Sequence, residues 1–208
     1  ATLAWRRHAT REFGASAEPA TFPHVRRRRR LRVGYVSPEL QGGPAVHFTL
    51  PLFLHHDPER FDLYGYHCDG PSDAWTQRVA GCCHEWRHEN DLERLTAAVR
   101  RDRLDALVDL SGHYGTHLGL FQHRQAPLQA CFPNYPGPTG AVCMDLLLTD
   151  RWVCPAGHET QYPERPVFLS AGYLPYAAPA APRLTPLPAD RHGNITFGLF
   201  QRPAKYNG

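Results

Sequence analysis

Three short stretches hold the residues best suited to chemistry: Gln41–His47 (QGGPAVH), Asp109–Tyr114 (DLSGHY) and Ala130–Asp145 (ACFPNYPGPTGAVCMD). His113 is a candidate general acid/base, or a donor to a phosphate or hydroxyl, because imidazole titrates near neutrality. Asp109 is either a catalytic carboxylate or an acceptor for the N–H groups of the turn after it, and both readings stand at this level. His47 is a second imidazole within reach of the same region. The third stretch is dense in turn formers, namely Pro133, Asn134, Pro136, Gly137, Pro138 and Gly140. Such a run cannot continue a helix or a central strand, since proline lacks the N–H donor and glycine costs order. A rigid loop directly after a strand is where an open α/β sheet places its ligand.

Other chemistries fail on spacing. The chain has no GxGxxG, no GxxxxGK[ST] and no GxSxG. His84 and His88 stand four apart beside Cys82 and Cys83, a metal-ligand spacing only on a helix. That segment reads as partly strand, and no convincing further ligands accompany it, so no metal is expected.

The elements that must position these residues follow from hydrophobic periodicity. Leu31–Ser37 alternates and ends at Pro38, so it is the first strand, with Glu39–Pro44 as its loop. Ala45–His56 is apolar at helical spacing, interrupted by Pro51. Phe61–Tyr66, Cys82–Arg87, Ala106–Leu110, Leu128–Phe132 and Leu146–Thr149 are further strands. Asp73–Ala80 and Leu92–Arg103 are helices, the second amphipathic, with Leu92, Leu95 and Val99 on one face and Asn90 or Asp91 as its cap. Gly119–His123 closes another helix. Strand–helix alternation throughout predicts a Rossmann-like, doubly wound parallel sheet. In such a sheet the loops after the strand C-termini face one crevice, which brings the three stretches together. Pro163–Pro188 reads as an irregular proline-rich connector. Asn194–Phe200 (NITFGLF) reads as the first strand of a second α/β lobe.

Domain organisation follows: residues 1–30 as a helical linker with an arginine-rich segment, 31–188 as the Rossmann-like lobe with its connector, and 189–208 as the start of a second lobe. The five arginines Arg26–Arg30 lack an aromatic platform or helical spacing, so they read as a solvated linker and not as a nucleic-acid site. Net charge is only +3 and hydrophobic content 42%, an ordinary globular balance. No apolar run reaches the roughly 18 residues of a membrane span, and Ala1–Phe13 has no apolar segment of a secretory signal. Six irregularly spaced cysteines read as reduced thiols of a cytoplasmic protein. Arginine supplies all the basic residues except Lys205, which with the abundant Ala, Pro and Gly suggests a GC-rich, bacterial genome.

Four segments, LRVGYVSPEL (Leu31–Leu40), ALVDLSGHYG (Ala106–Gly115), RQAPLQACFPNYPGPTGAVCMDLLLTD (Arg124–Asp150) and ITFGLFQRPAK (Ile195–Lys205), carry a resemblance. In this order and at these intervals they are similar to the catalytic region of the O-linked N-acetylglucosamine transferase family, with its SPINDLY-type and bacterial TPR-containing relatives. The family versions look like LRVGYVSxDF, DILVDLxGHT, RPAPVQVxWLGYPGTTGxxxMDYxxTD and FGSFNNLAKI. The resemblance implies the N-terminal lobe of a GT-B glycosyltransferase, with TPR repeats N-terminal of Trp5–His8. It implies a UDP-sugar donor, a protein or peptide acceptor, inversion, and no required cofactor or metal. On it, Lys205 contacts the donor diphosphate, where an ammonium offsets the charge of the leaving group. His113 falls on the GHT histidine. Tyr135, Pro136, Gly137 and Thr139 fall on the GYPGT loop that approaches sugar and acceptor, with Asn134 in place of the glycine before it. Gly43 stands where the family carries a histidine, and His47 lies four residues on. Cys131 and Phe132 replace the expected aromatic pattern, Pro138 is unusual in its loop position, and Pro203 stands near Lys205 in place of leucine. Gly43 keeps a second reading open, a degenerate, non-catalytic module that binds a peptide or protein partner.

Overall fold

The computed structural model describes residues 30–176, 178 and 180–200 of the chain, which divides into two compact units, 1–177 and 178–208. Among the described residues the sheet of the first unit has seven strands: β1 (Leu31–Ser37), β2 (Phe61–His67), β3 (Glu85–His88), β4 (Ala106–Asp109), β5 (Leu128–Cys131), β6 (Leu146–Thr149) and β7 (Arg165–Phe168). Their order is β3-β2-β1-β4-β5-β6-β7, and every neighbouring pair runs parallel. The chain begins in the middle, winds outward to β3, then returns to the other side of β1 with β4. The β1–β4 pair, in register from Val33↔Ala106 to Val36↔Asp109, is therefore a topological switch point. Beyond the carboxyl ends of these two strands the connections diverge and leave a crevice.

The inner strands are buried on both faces and alternate between two cores. Val33 and Tyr35 pack with Leu40, Val46, Leu50, Phe53, Leu63, Val79 and Leu110 on one side. Val36 packs with Tyr66, Leu95, Val99, Leu107, Phe121 and Leu147 on the other. Period-two alternation along β1 produces this split, and near-continuous apolar strands are what a sheet covered on both faces requires.

Among the described residues three helices accompany the strands of the first unit, α1 (Val46–Leu54), α2 (Ala74–Ala80) and α3 (Leu92–Asp102), and the second unit holds α4 (Pro188–His192). Asp73 starts α2 with a capping box, its Oδ1 accepting the N–H groups of Trp75 and Thr76 at 2.9 Å. Asp91 caps α3 through the Arg94 N–H; of the predicted apolar face Leu95 and Val99 are buried and Leu92 is half-buried, with Ala98 buried beside them. Asp102, also on the inner side of α3, is an exception the periodicity does not announce. It takes Arg87 Nε and Nη2 at 2.8 and 2.6 Å and the Tyr66 hydroxyl at 2.7 Å, so the buried charge is fully paired. α1 runs through Pro51, whose missing N–H is offset by burial of Leu50 and Phe53.

The structure departs from expectation at four places. The helix expected to end at Gly119–His123 is a 3₁₀ segment, His117–Gln122, entered from Gly115 at φ +100°. The third strand starts at Glu85 and not at Cys82, because Cys82 and Cys83 still bond the end of α2 through their N–H groups. The proline-rich connector 163–188 contains a strand, β7. Pro166 is tolerated there because β7 is at the sheet edge and needs no donor on its outer side. Asn194–Phe200 forms no strand among the described residues, and its Phe197 and Phe200 are almost fully exposed. The expectations for Ala1–Phe13, Arg26–Arg29 and Lys205 lie outside the described residues. Among the described residues no helix is long and apolar enough to cross a membrane.

Candidate functional site

At the switch point, Asp109 ends β4 and is fully buried. Its Oδ1 accepts the N–H groups of Ser111 and Gly112 at 2.9 and 3.0 Å, and His117 Nε2 lies 2.8 Å from the same oxygen. Oδ2 takes a second bond from the Gly112 N–H. Burial alone would push this carboxyl up. The His117 hydrogen bond and charge, with the two backbone donors, outweigh burial and hold it below the usual carboxylate range. The carboxylate fastens the turn that carries His113, and it is closed to any ligand. Across the switch point, Ser37 Oγ and Ser111 Oγ meet at 2.6 Å, so the ends of β1 and β4 are joined.

The loop after β5 folds onto that turn. It opens with a cis peptide bond between Phe132 and Pro133. Tyr135 lies against Gly112, which holds φ at +56°: a Cβ there would sit 2.3 Å from Tyr135 Cγ. Only glycine combines that left-handed backbone with that approach. The His113 ring meets the Tyr135 ring edge-on, centroids 4.8 Å apart, and His113 Nε2 reaches the Pro138 carbonyl at 3.3 Å. A carbonyl only accepts, so Nε2 is the ring nitrogen that carries the proton in this bond. On the far side of the loop, Thr139 N–H, Thr139 Oγ1 and Gly140 N–H all donate to Oε1 of Glu164, at 2.9, 2.5 and 3.0 Å. Thr139 Oγ1 also accepts from the Ala141 N–H, so the hydroxyl is fully used within the protein. Half-buried Asn134 has a buried amide nitrogen without a protein partner among the described residues. Pro136 is exposed and Gly137 half-exposed at the tip.

The loop after β1 is separately anchored, with Gly42 N–H on Asp73 Oδ2 at 2.6 Å. Nothing lies within 4 Å of a Cβ built on Gly43. His47, on α1, packs edge-on to Trp75 at 5.2 Å and faces Tyr176 at 6.5 Å. His84 follows α2 and His88 ends β3, so the two do not share a helical turn. Among the described residues no three His, Cys, Asp or Glu side chains are grouped to hold a metal ion.

Residues 16–175 match the sequence profile of glycosyl transferase family 41. The chain belongs to this family. A tomato (Solanum lycopersicum) protein named probable UDP-N-acetylglucosamine–peptide N-acetylglucosaminyltransferase SPINDLY is 31% identical over 85% of this chain and 20% of its own length. The protein of that name from Eustoma exaltatum is 33% identical over the same shares. A mutant of the Thermobaculum terrenum O-GlcNAc transferase superposes with a TM-score of 0.80 at 38% identity, over 89% of this chain and 36% of that one. The expected Rossmann-like lobe of the GT-B type is thus the fold observed. The family 41 chain spans about a fifth of the length of the curated relatives it matches.

In this family 41 chain the structure gathers Asp109, His113, Asn134, Tyr135, Pro136, Gly137 and Thr139 at one end of β4 and β5. His47 stands apart in its aromatic contacts with Trp75 and Tyr176, and Lys205 lies outside the described residues. Sequence reasoning missed Glu164, His117 and the Ser37–Ser111 bond. Glu164 sits 25 residues from its partner in a proline-rich stretch, and no local pattern signals it.

Proposed function

We propose that this chain is part of the catalytic region of an inverting glycosyltransferase that moves N-acetylglucosamine from UDP to Ser or Thr hydroxyls of a protein. The observation that carries the reading is the seating of the Tyr135–Gly140 loop on the Ser111–Gly112–His113 turn at the sheet's switch point, in a chain of family 41. In this scheme His113 is the polar contact or proton relay. Tyr135, Pro136 and Gly137 form the wall toward sugar and acceptor, with the Asn134 amide as an unspent donor beneath them. Asp109 and Thr139, both buried with every strong acceptor or donor used, serve as positioning residues and do not touch substrate. Lys205 meets the diphosphate and stabilises the departing nucleotide; no metal enters the scheme. Six free thiols suit a reducing, cytoplasmic setting, and TPR repeats in the complete bacterial protein would present the acceptor.

The test is a mass-shift assay on the complete gene product with UDP-N-acetylglucosamine and a panel of other sugar nucleotides. Transfer to protein hydroxyls with inversion is expected; neither transfer nor donor hydrolysis with any of them refutes the reading. The open space at Gly43, where the family resemblance calls for an imidazole, favours one second reading, a transferase fold kept to bind a partner. Nucleotide binding without turnover would select it.

A further inference from the structure

Glu164 lies one residue before β7, at the far edge of the strand order from β3, and is only 2% exposed. Its Oε1 gathers three donors from Thr139 and Gly140, while Oε2 is buried with no partner among the described residues. Leaving a carboxylate oxygen unpaired in the interior is costly, and such groups call for an explanation beyond packing.

The other oxygen, Oε1, acts on a single peptide unit. The Pro138–Thr139 peptide donates its N–H to Glu164 at 2.9 Å and accepts from His113 Nε2 through its C=O at 3.3 Å. The two bonds leave opposite ends of one planar, conjugated group. A carboxylate on the N–H end polarises the amide and makes the carbonyl a stronger acceptor. We infer that Glu164 is a positioning residue for His113, acting through the Pro138–Thr139 peptide to hold the imidazole in its Nε2–H tautomer and in one orientation. The Asp109 carboxylate fixes the backbone of the His113 turn from below, and Glu164 fixes the ring from across the loop. Nδ1 is thereby the ring nitrogen without a proton. This role rests on the proposed part of His113 in transfer, but the tautomer is measurable without it.

The experiment uses the complete gene product and reads the ring nitrogens of His113 by 15N chemical shift, assigned by comparison with His113→Gln. In the wild type the Nε2–H tautomer is expected; a predominantly Nδ1–H ring overturns the inference outright, whatever any variant does. In Glu164→Gln, which keeps an acceptor oxygen but removes the charge, a redistribution between the two tautomers is expected, with kcat for transfer falling several-fold and donor KM unchanged. Thr139→Val removes the hydroxyl bond and keeps the N–H relay, so its His113 spectrum should match the wild type. Equal effects of both variants, or a Glu164→Gln protein with lost transfer and an unchanged His113 ring, mean a general loop support and refute the relay. Absence of transfer in the wild type refutes the transferase reading alone, since the tautomer measurements still decide this one.

Discussion

Gly112→Ala tests the contact on which the site depends. The position holds φ at +56°, and the added methyl would lie 2.3 Å from Tyr135 Cγ, 2.5 Å from its Cβ and 2.6 Å from its Cδ1. The left-handed backbone costs an alanine about 1–2 kcal/mol. Forcing a carbon against the root of a side chain, which cannot swing aside as a flexible tip can, adds about 1–3 kcal/mol. The total, about 2–5 kcal/mol, corresponds to a fall in melting temperature of roughly 4–20 °C for a domain of this size. Gly157→Ala separates the two contributions: it also has a left-handed backbone, φ +87°, with nothing within 4 Å of its Cβ. Urea unfolding followed by circular dichroism should rank Gly112→Ala below Gly157→Ala by at least about 1 kcal/mol. Combining Gly112→Ala with Tyr135→Gly should recover part of the difference, since it removes all three crowded atoms, Cγ, Cβ and Cδ1. A Gly112→Ala protein as stable as Gly157→Ala would mean that Tyr135 does not rest on the turn, and the convergence of the two loops would fail with it.

Three further outcomes follow from the same geometry. Asp109→Ala strands the N–H groups of Ser111 and Gly112 and the His117 ring inside the protein, and should cost roughly 3 kcal/mol or more in urea unfolding. His67 is buried between the Ser37 and Pro71 carbonyls and beside His88, and burial lowers its pKa from the ordinary 6.5. Its charged form is therefore disfavoured on folding, so its contribution is full above pH 6.5 and is lost as pH falls from there toward the lowered value. His67→Gln should flatten the slope of the urea midpoint against pH in that window; an unchanged slope counts against it. Gly43→His enters open space at a backbone that needs no glycine, so the protein should fold normally; if the transferase reading is right, transfer by the complete gene product should rise, measured by mass shift.

The scaffold was legible because its signals are local. The strands Leu31–Ser37 and Leu146–Thr149 are found where periodicity sets them, and Asp73 and Asp91 cap the helices they precede, since a cap acts within three residues. Non-local partners were invisible. Pro166 disguised β7, because a sequence does not tell an edge strand from a connector. The helical pattern does not announce Asp102, which Tyr66 and Arg87, 36 and 15 residues away, turn inward. At the site, the residue types in the Asp109–Tyr114 and Pro133–Gly140 segments announced a ligand-facing pair of loops. They could not announce which polar groups would be consumed in building it, and Asp109 and Thr139, read as possible contacts, are consumed.

That division has a physical origin. Loops at the carboxyl end of a parallel sheet leave the ladder that satisfied their backbone, so their N–H groups need acceptors from elsewhere. Two buried carboxylates supply them: Asp109 takes Ser111 and Gly112, and Glu164 takes Thr139 and Gly140. Each holds its loop by the backbone, from the protein side. His113 and Tyr135 are presented at the crevice because charge hidden behind them does the structural work. An acid buried behind such a loop is thus a mark of a site as informative as the residues facing the crevice.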